Sequence, residues 1–186
     1  MVVFLSGLTN GLGRSVSAQI DNYGSLHYIL STDSEGIIPF STITEKDLDE
    51  VQKIEGMDYS GLSIQRATVS KSEDSNTLDI TYFATDHNEE EILNPIIEDT
   101  DLKISDLKKN EVILDSSFKE DEGIQVGDHV IDKTSKQKLK VVAFAKNAKY
   151  GYSEIGFISS DTYTGMRQKT DPSYQWQAQT DNYGSL

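Results

Sequence analysis

Cysteine is absent from all 186 residues. That excludes disulfide staples, thiolate metal sites and cysteine nucleophiles, and it suits either side of a membrane. Long apolar runs are also missing, for nothing approaches the ~20 residues that a membrane-spanning helix needs. The opening MVVFLSG has no basic lead, and its apolar core is too short for a signal peptide, so the segment is expected to behave as a soluble piece. Positive charge is scarce: 17 Lys and Arg face 31 Asp and Glu, for a net charge of −14. Such an excess argues against a nucleic-acid backbone or an anionic lipid surface as the main partner. A cationic peptide, or plain solubility at a cell surface, fits it better.

Recognisable chemistry is equally thin. The three histidines, His27, His87 and His129, stand apart from one another and from any ligand spacing such as H-x-x-x-H. His87 lies beside Asp86, Glu89, Glu90 and Glu91, but no D-x-D-x-D-G loop orders oxygen ligands there, and a solvated acidic helix start explains the cluster better. No phosphate-cradling G-x-x-x-x-G-K-S/T loop exists, and Gly11-Leu12-Gly13 precedes no nucleotide-binding unit. Ser116-x-x-Lys119 followed by Lys133-Thr134-Ser135 imitates two elements of the serine β-lactamases. The S-D-N element is absent, the spacing is far too short, and Ser116 reads better as a helix cap. No catalytic residue, metal ligand or cofactor is therefore assigned.

What the chain does hold is secondary-structure patterning. Residues 123–163 organise it. Gly127-Asp128 makes a tight turn before a strand at 129–132, and Lys133-Thr134-Ser135-Lys136 reverses the chain. A second strand alternates, with Leu139, Val141, Ala143 and Ala145 on one face and Lys138, Lys140, Val142 and Phe144 on the other. Residues 147–151 turn again into a third strand at 154–158, after which Ser159 or Ser160 caps a short helix with Asp161 near its N-terminus. The pattern predicts a small, strongly bent antiparallel sheet. Lys146, Lys149, Tyr150 and Tyr152 crowd the second turn and form a candidate partner-contact loop, since rings beside positive charge are useful at interfaces; packed tyrosines with wet hydroxyls are the competing explanation.

Upstream, residues 1–20 place Phe4 or Leu5, Leu8, Leu12, Val16 and Ile20 at helical spacing, with Gly7 and Gly11 as a small-xxx-small pair. A strand is expected at 26–31, and a helix from Thr42 or Thr44 to about Glu55, stopped by Gly56. Two further strands, 62–70 and 77–84, flank a polar hairpin loop at 71–76, with Ile64, Val69, Leu78, Ile80, Tyr82 and Phe83 as core candidates. Asp86 opens a short helix that Pro95 ends or kinks. Residues 97–110 read as a connection with one helical turn, 111–115 as a strand, and 118–122 as a short helix capped by Ser116 or Ser117 and ended by Gly123. Residues 173–180, with the single tryptophan Trp176, read as a returning strand. The nonapeptide AQIDNYGSL (18–26) recurs as AQTDNYGSL (178–186), identical at all but one position. With no third copy it is not a solenoid; either the two ends occupy equivalent places, or the second copy is a fusion remnant.

The run EVILDSSFKEDEGIQVGDHVID…KLKVVAFAKNAKY…IGFISSDTY resembles the extracytoplasmic domain of MacB/FtsX-type ABC transporter permeases, particularly the Gram-positive type. FLSGLTNGLGRSVSAQID…YILSTDSEG resembles the end of the first membrane helix and the first extracellular strand of those permeases. The resemblance covers roughly half the chain and rests on structural motifs. It implies an α+β fold: residues 1–20 as the tail of a membrane helix or an amphipathic lead-in, a porter-like lobe from 21–104 plus 160–186, and an inserted β-rich, sabre-like lobe at 105–159. Met1 would then be an internal start. The implied role is non-catalytic, at the extracellular face of a bacterial cell membrane. There the domain passes ATP-driven motion into export, extraction or sensing of a peptide or lipoprotein. The implied partners are a cytoplasmic ABC ATPase and a second permease copy. The alternative from another class is a free-standing surface or secreted binding module, such as an adhesin or sensor ectodomain.

Overall fold

In β4 (Leu62–Ser70) and β5 (Leu78–Thr85), β-branched and aromatic residues alternate across an antiparallel pair whose register runs from Leu62↔Thr85 to Val69↔Leu78. The intervening loop closes on itself, with Ser75 Oγ accepting from the Ser72 amide at 2.9 Å. The computed structural model describes residues 3–4, 29–30, 41–43, 61–85, 93, 95–175 and 178–180. Around the hairpin stand β6 (Glu111–Asp115), β7 (His129–Asp132), β8 (Lys138–Ala145), β9 (Lys149–Tyr150) and β10 (Ser153–Ser159), with helices α1 (Ser117–Glu120) and α2 (Ser160–Gln168). A 3-10 turn at Ile104–Asp106 supplies the helical turn expected within 97–110.

Six of these strands close on themselves. The order β5-β4-β7-β8-β6-β10 is completed by parallel pairing of β10 with β5, Ile155↔Thr81 through Ser159↔Thr85. The β6–β8 pair is also parallel and the other four pairs are antiparallel. Strands from either side of the expected division at residues 104 and 105 share this ring, through the β4–β7 and β5–β10 pairs. A closed ring has no raw edge and two distinct faces. All six strands send residues to one cluster, the inward face: Val69, Ile80, Tyr82, Val112, Leu114, Val130, Leu139, Val141, Phe144 and Ile158 are among them. Tyr163 and Met166 of α2 join that cluster, as do Phe118 and Ile124. The outward face carries Ile64, Phe83, Ile113, Ile155 and Phe157, covered by Leu93, Ile104, Leu107 and Ala148. Gly156 leaves room for Ile80, because a Cβ there would come within 2.6 Å of Ile80 Cδ1.

The alternation expected for β8 breaks at Val142. Val112 pairs with Val141 but Ile113 pairs with Ala143, so Val142 is one residue too many. Such a bulge shifts the phase by one and exchanges the faces beyond it. Leu139, Val141 and Phe144 consequently share the inward cluster, whereas Ala143 and Ala145 pack outward with Val142 against them.

Other boundaries moved for local reasons. The α1 cap is not Ser116, whose side chain makes no capping bond; the buried Asp115 carboxylate accepts the Ser117 amide at 3.0 Å and its hydroxyl at 2.5 Å instead. Gly123, at φ +66°, follows α1 as expected of a C-terminal stop. Ser159 is the cap of α2, accepting from the Thr162 amide at 3.2 Å. Among the described residues of 173–180, Ala178–Thr180 (β11) is a strand, paired with Ser41–Ile43 (β3). Ser173 instead belongs to a turn in which Asp171 Oδ1 accepts its amide and hydroxyl at 3.1 and 2.6 Å; the hydrogen bonds from Ser173 hold the Asp171 carboxyl below its usual range. Val3–Phe4 (β1), expected to begin a helical lead-in, is extended and pairs with Ile29–Leu30 (β2), as two strand-favouring residues permit. Thr42, one of the two expected helix starts, lies in β3 instead, paired with Gln179; Trp176, His27, His87, the helix expected from Thr44 and the body of the one expected from Asp86 fall outside the described residues.

Tyr82 lies in the ring interior and donates to Asp132 Oδ2 at 3.3 Å, while Asp132 Oδ1 accepts from Ser135 at 2.6 and 2.7 Å. Burial above all, then the Asp132 charge and the hydrogen bond to it, raise the phenol well above its ordinary 10.0. A raised folded pKa means that the stabilisation is intact below the unfolded value and is lost as pH climbs towards the folded one. Urea titrations should therefore show stability falling above pH 10.0, with a shallower fall in Tyr82→Phe; identical slopes in the two proteins would contradict this placement.

Candidate functional site

The expected partner-contact loop is a hairpin between β9 and β10. Tyr150 pairs with Ser153 and Lys149 with Glu154, leaving Gly151 and Tyr152 as the two turn residues. Gly151 takes φ +64° and Tyr152 does not take a positive φ, the arrangement of a type II′ turn, which matches the twist of paired strands. Asp115 anchors the hairpin's base, its Oδ2 accepting from the Ala148 amide at 2.6 Å. The amide of Ile155 closes it further, donating to the Ala148 carbonyl at 2.7 Å. One buried carboxylate thus joins the start of α1 to the root of the hairpin.

The four residues singled out from sequence separate into two kinds. Tyr150 is half-buried, edge-on to Phe83 with centroids 5.5 Å apart, and Phe83 in turn meets Phe157 at 6.0 Å. Lys149 Nζ sits 3.6 Å from Glu154 Oε1 across the strands, an exposed pair of small energetic weight. Tyr152 is fully exposed at the tip and Lys146 is exposed at the root. The hairpin therefore displays one aromatic ring and positive charge on a rigid stem.

A second feature escaped sequence reading. At its bulge β8 changes neighbours along one edge. Before it, Val141 exchanges two 2.8 Å bonds with Gly127 and Asp128; after it, the Phe144 carbonyl accepts from the Glu98 amide at 2.8 Å. The two flanking segments diverge and leave a cleft of about 460 Å³ floored by Val142, Ala143 and Phe144. Glu98, Asp99 and Thr100 form one wall, Gly123–Val126 the other, and Lys119 closes an end. Lys119 Nζ lies 3.5 Å from Glu98 and 5.9 Å from the Phe144 ring centre. The only signal for this cleft in the sequence would have been the register shift at Val142, which periodicity hides.

The β-lactamase-like elements find other employment. Lys119 serves Glu98, Ser135 serves Asp132, and Lys133 Nζ donates to the Glu73 carbonyl at 3.0 Å. His129 is exposed at the start of β7, and among the described residues no group of three His, Cys, Asp or Glu is placed to hold a metal.

No protein-family model matches the sequence. Among solved structures, the periplasmic region of MacB from Actinobacillus actinomycetemcomitans is similar over 80% of this chain and 67% of that one, with a TM-score of 0.55 and 11% identity. The extracellular domain of the noncanonic ABC-type transporter YknZ from Gram-positive bacteria is similar over 81% of this chain and 77% of that one, with a TM-score of 0.52 and 14% identity. At such identities the likeness establishes the fold: a mixed, sheet-rich α+β domain of the kind found outside the membrane in MacB-type ABC transporters, as the resemblance implied. Among the described residues no helix is long and apolar enough to cross a membrane.

The two tyrosines give a direct check on the hairpin. Tyr150→Ala removes the contact with Phe83 and should cost about 1–2 kcal/mol in urea unfolding. Tyr152→Ala should stay within about 0.5 kcal/mol, as for a side chain that touches nothing. Equal losses at both positions would contradict the geometry.

Proposed function

We propose that this chain is the non-catalytic extracytoplasmic domain of an ABC transporter permease. Fold similarity to the external domains of MacB and YknZ over four-fifths of the chain carries that reading and favours it over a free-standing adhesin or sensor ectodomain. The energy source is a separate cytoplasmic ATPase, reached through membrane helices, and two permease copies face each other outside a bacterial cell membrane. Motion driven by nucleotide is passed to the external domains, and their output is export, extraction or sensing of a peptide or lipoprotein. A closed ring suits this task, since hydrogen bonding in every direction around it lets it move as one body.

The porter-like and sabre-like division belongs to the same proposal. In it the porter-like lobe takes 21–104 plus 160–186 and the sabre-like lobe 105–159, and the two share the hydrogen-bonded ring through the β4–β7 and β5–β10 pairs. The hairpin with Lys146, Lys149, Tyr150 and Tyr152 is the proposed partner contact; Tyr152 and Lys146 face outward, and Tyr150 braces the stem.

These 186 residues hold no cysteine, so a single label can be placed within the domain. A spin label on Tyr152→Cys, in the full-length permease reconstituted with its ATPase, reports the distance between two copies. Mg·ATP trapped with vanadate should shift that distance distribution relative to the nucleotide-free state. An absent dipolar coupling would contradict the pairing, and an unchanged distribution would contradict the transmission of motion.

A further inference from the structure

The cleft at the β8 bulge combines an apolar floor with flanking segments rich in acids. Phe144, Ala143 and Val142 lie at its base and Ile124 lines a wall. Large apolar side chains are exposed on both flanks, Val126 at 62% and Ile96 at 68%. Glu98, Asp99 and Lys119 are the charged residues that line the cleft, and Asp101, Glu120, Asp121, Glu122 and Asp128 adjoin them along the wall segments. That lysine, Lys119, is already engaged with Glu98, and Lys71 reaches in from the β4–β5 loop only to the Glu122 carbonyl.

From this combination we infer that the cleft is a docking site for a protein segment carrying an apolar anchor side chain between lysines or arginines. The volume of about 460 Å³ accommodates one or two large side chains. An apolar anchor in a desolvated pocket supplies the affinity, and the acidic rim selects and steers a basic partner. The same rim repels anionic lipid and nucleic-acid phosphates. The floor is held in place from both sides, because the bulge bonds Val141 to Gly127 and Asp128 and Phe144 to Glu98. The cleft therefore needs no rearrangement to open. This inference does not depend on the permease reading and concerns a surface distinct from the β9–β10 hairpin tip.

The test uses the 186-residue chain, labelled with nitrogen-15, and a synthetic heptapeptide in which lysines alternate with leucine and phenylalanine. Two control peptides replace the apolar residues by serine, or the lysines by glutamate. The expected result is amide shifts concentrated at residues 98–100, 123–126 and 142–144, with much weaker binding of both controls. Val126→Asp separates anchoring from simple charge attraction: it adds negative charge and removes an apolar wall. Binding of the lysine–leucine peptide should weaken about tenfold in that variant. Stronger binding in Val126→Asp, equal binding of the lysine–serine peptide, shifts scattered over the acidic surface, or no binding would each overturn the proposal. Self-association abolished by Val126→Asp, with no peptide-induced shifts, would also overturn it and give the face to a second copy of this chain. None of these readouts involves ATP or a membrane, so their failure is separable from failure of the permease reading.

Discussion

The ring interior can be filled only if β8 turns a large side chain inward near its end, and Val142 makes that possible. In unbroken alternation Ala143 and Ala145 would follow Leu139 and Val141 to the inside, and Phe144 would stand outside. Two alanines in place of a phenylalanine would leave unfilled space, and voids in a packed interior are costly. The extra residue reverses the phase, so Phe144 completes the inward cluster and the alanines admit the close approach of Ala148 and its neighbours outside. The same residue bends the strand away from β7 and lets residues 96–98 take over its edge. Core filling and the formation of a surface cleft thus have one cause.

Two aspartates finish what the bulge begins. Asp115 at the end of β6 and Asp132 at the end of β7 are both buried, and each accepts from a serine amide and hydroxyl just downstream with one oxygen. The second oxygen of each reaches across the fold, Asp115 to the root of the β9–β10 hairpin and Asp132 to Tyr82 inside the ring. Buried carboxylates are tolerated when their lone pairs are satisfied in this manner, and such groups hold strand ends in one arrangement. The hairpin tip therefore stands on a fixed base although its own turn is exposed.

Local chemistry was legible in the sequence wherever a single element decided the outcome. Alternation in 62–70 and 77–84 gave β4 and β5 and placed Ile64, Val69, Ile80, Tyr82 and Phe83 in the core. Turn residues located Gly127-Asp128 and the Lys133–Lys136 reversal, where Lys136 takes φ +58°. Whatever depended on partners was hidden. Ring closure by parallel pairing of β10 with β5 joins residues more than 70 apart, which no window of periodicity spans. Register against β6 decides the bulge, and Asp115 bonds both the start of α1 and Ala148, 33 residues on, a pairing that lies beyond any local window. Of the candidate loop, the sequence located the turn but could not show that Tyr150 is spent on Phe83 while Tyr152 is not.

The closed ring, the hairpin raised from it and the cleft beside it are built on a fold shared with the external domains of MacB and YknZ, and the permease reading proposed above rests on that likeness. The most direct test of that account is the complete reading frame around these 186 residues, examined for hydropathy. The account predicts an apolar span of ~20 residues ahead of β1 and further spans of that length beyond Leu186. A stop codon soon after Leu186, with only a cleavable signal ahead of Met1, would contradict it.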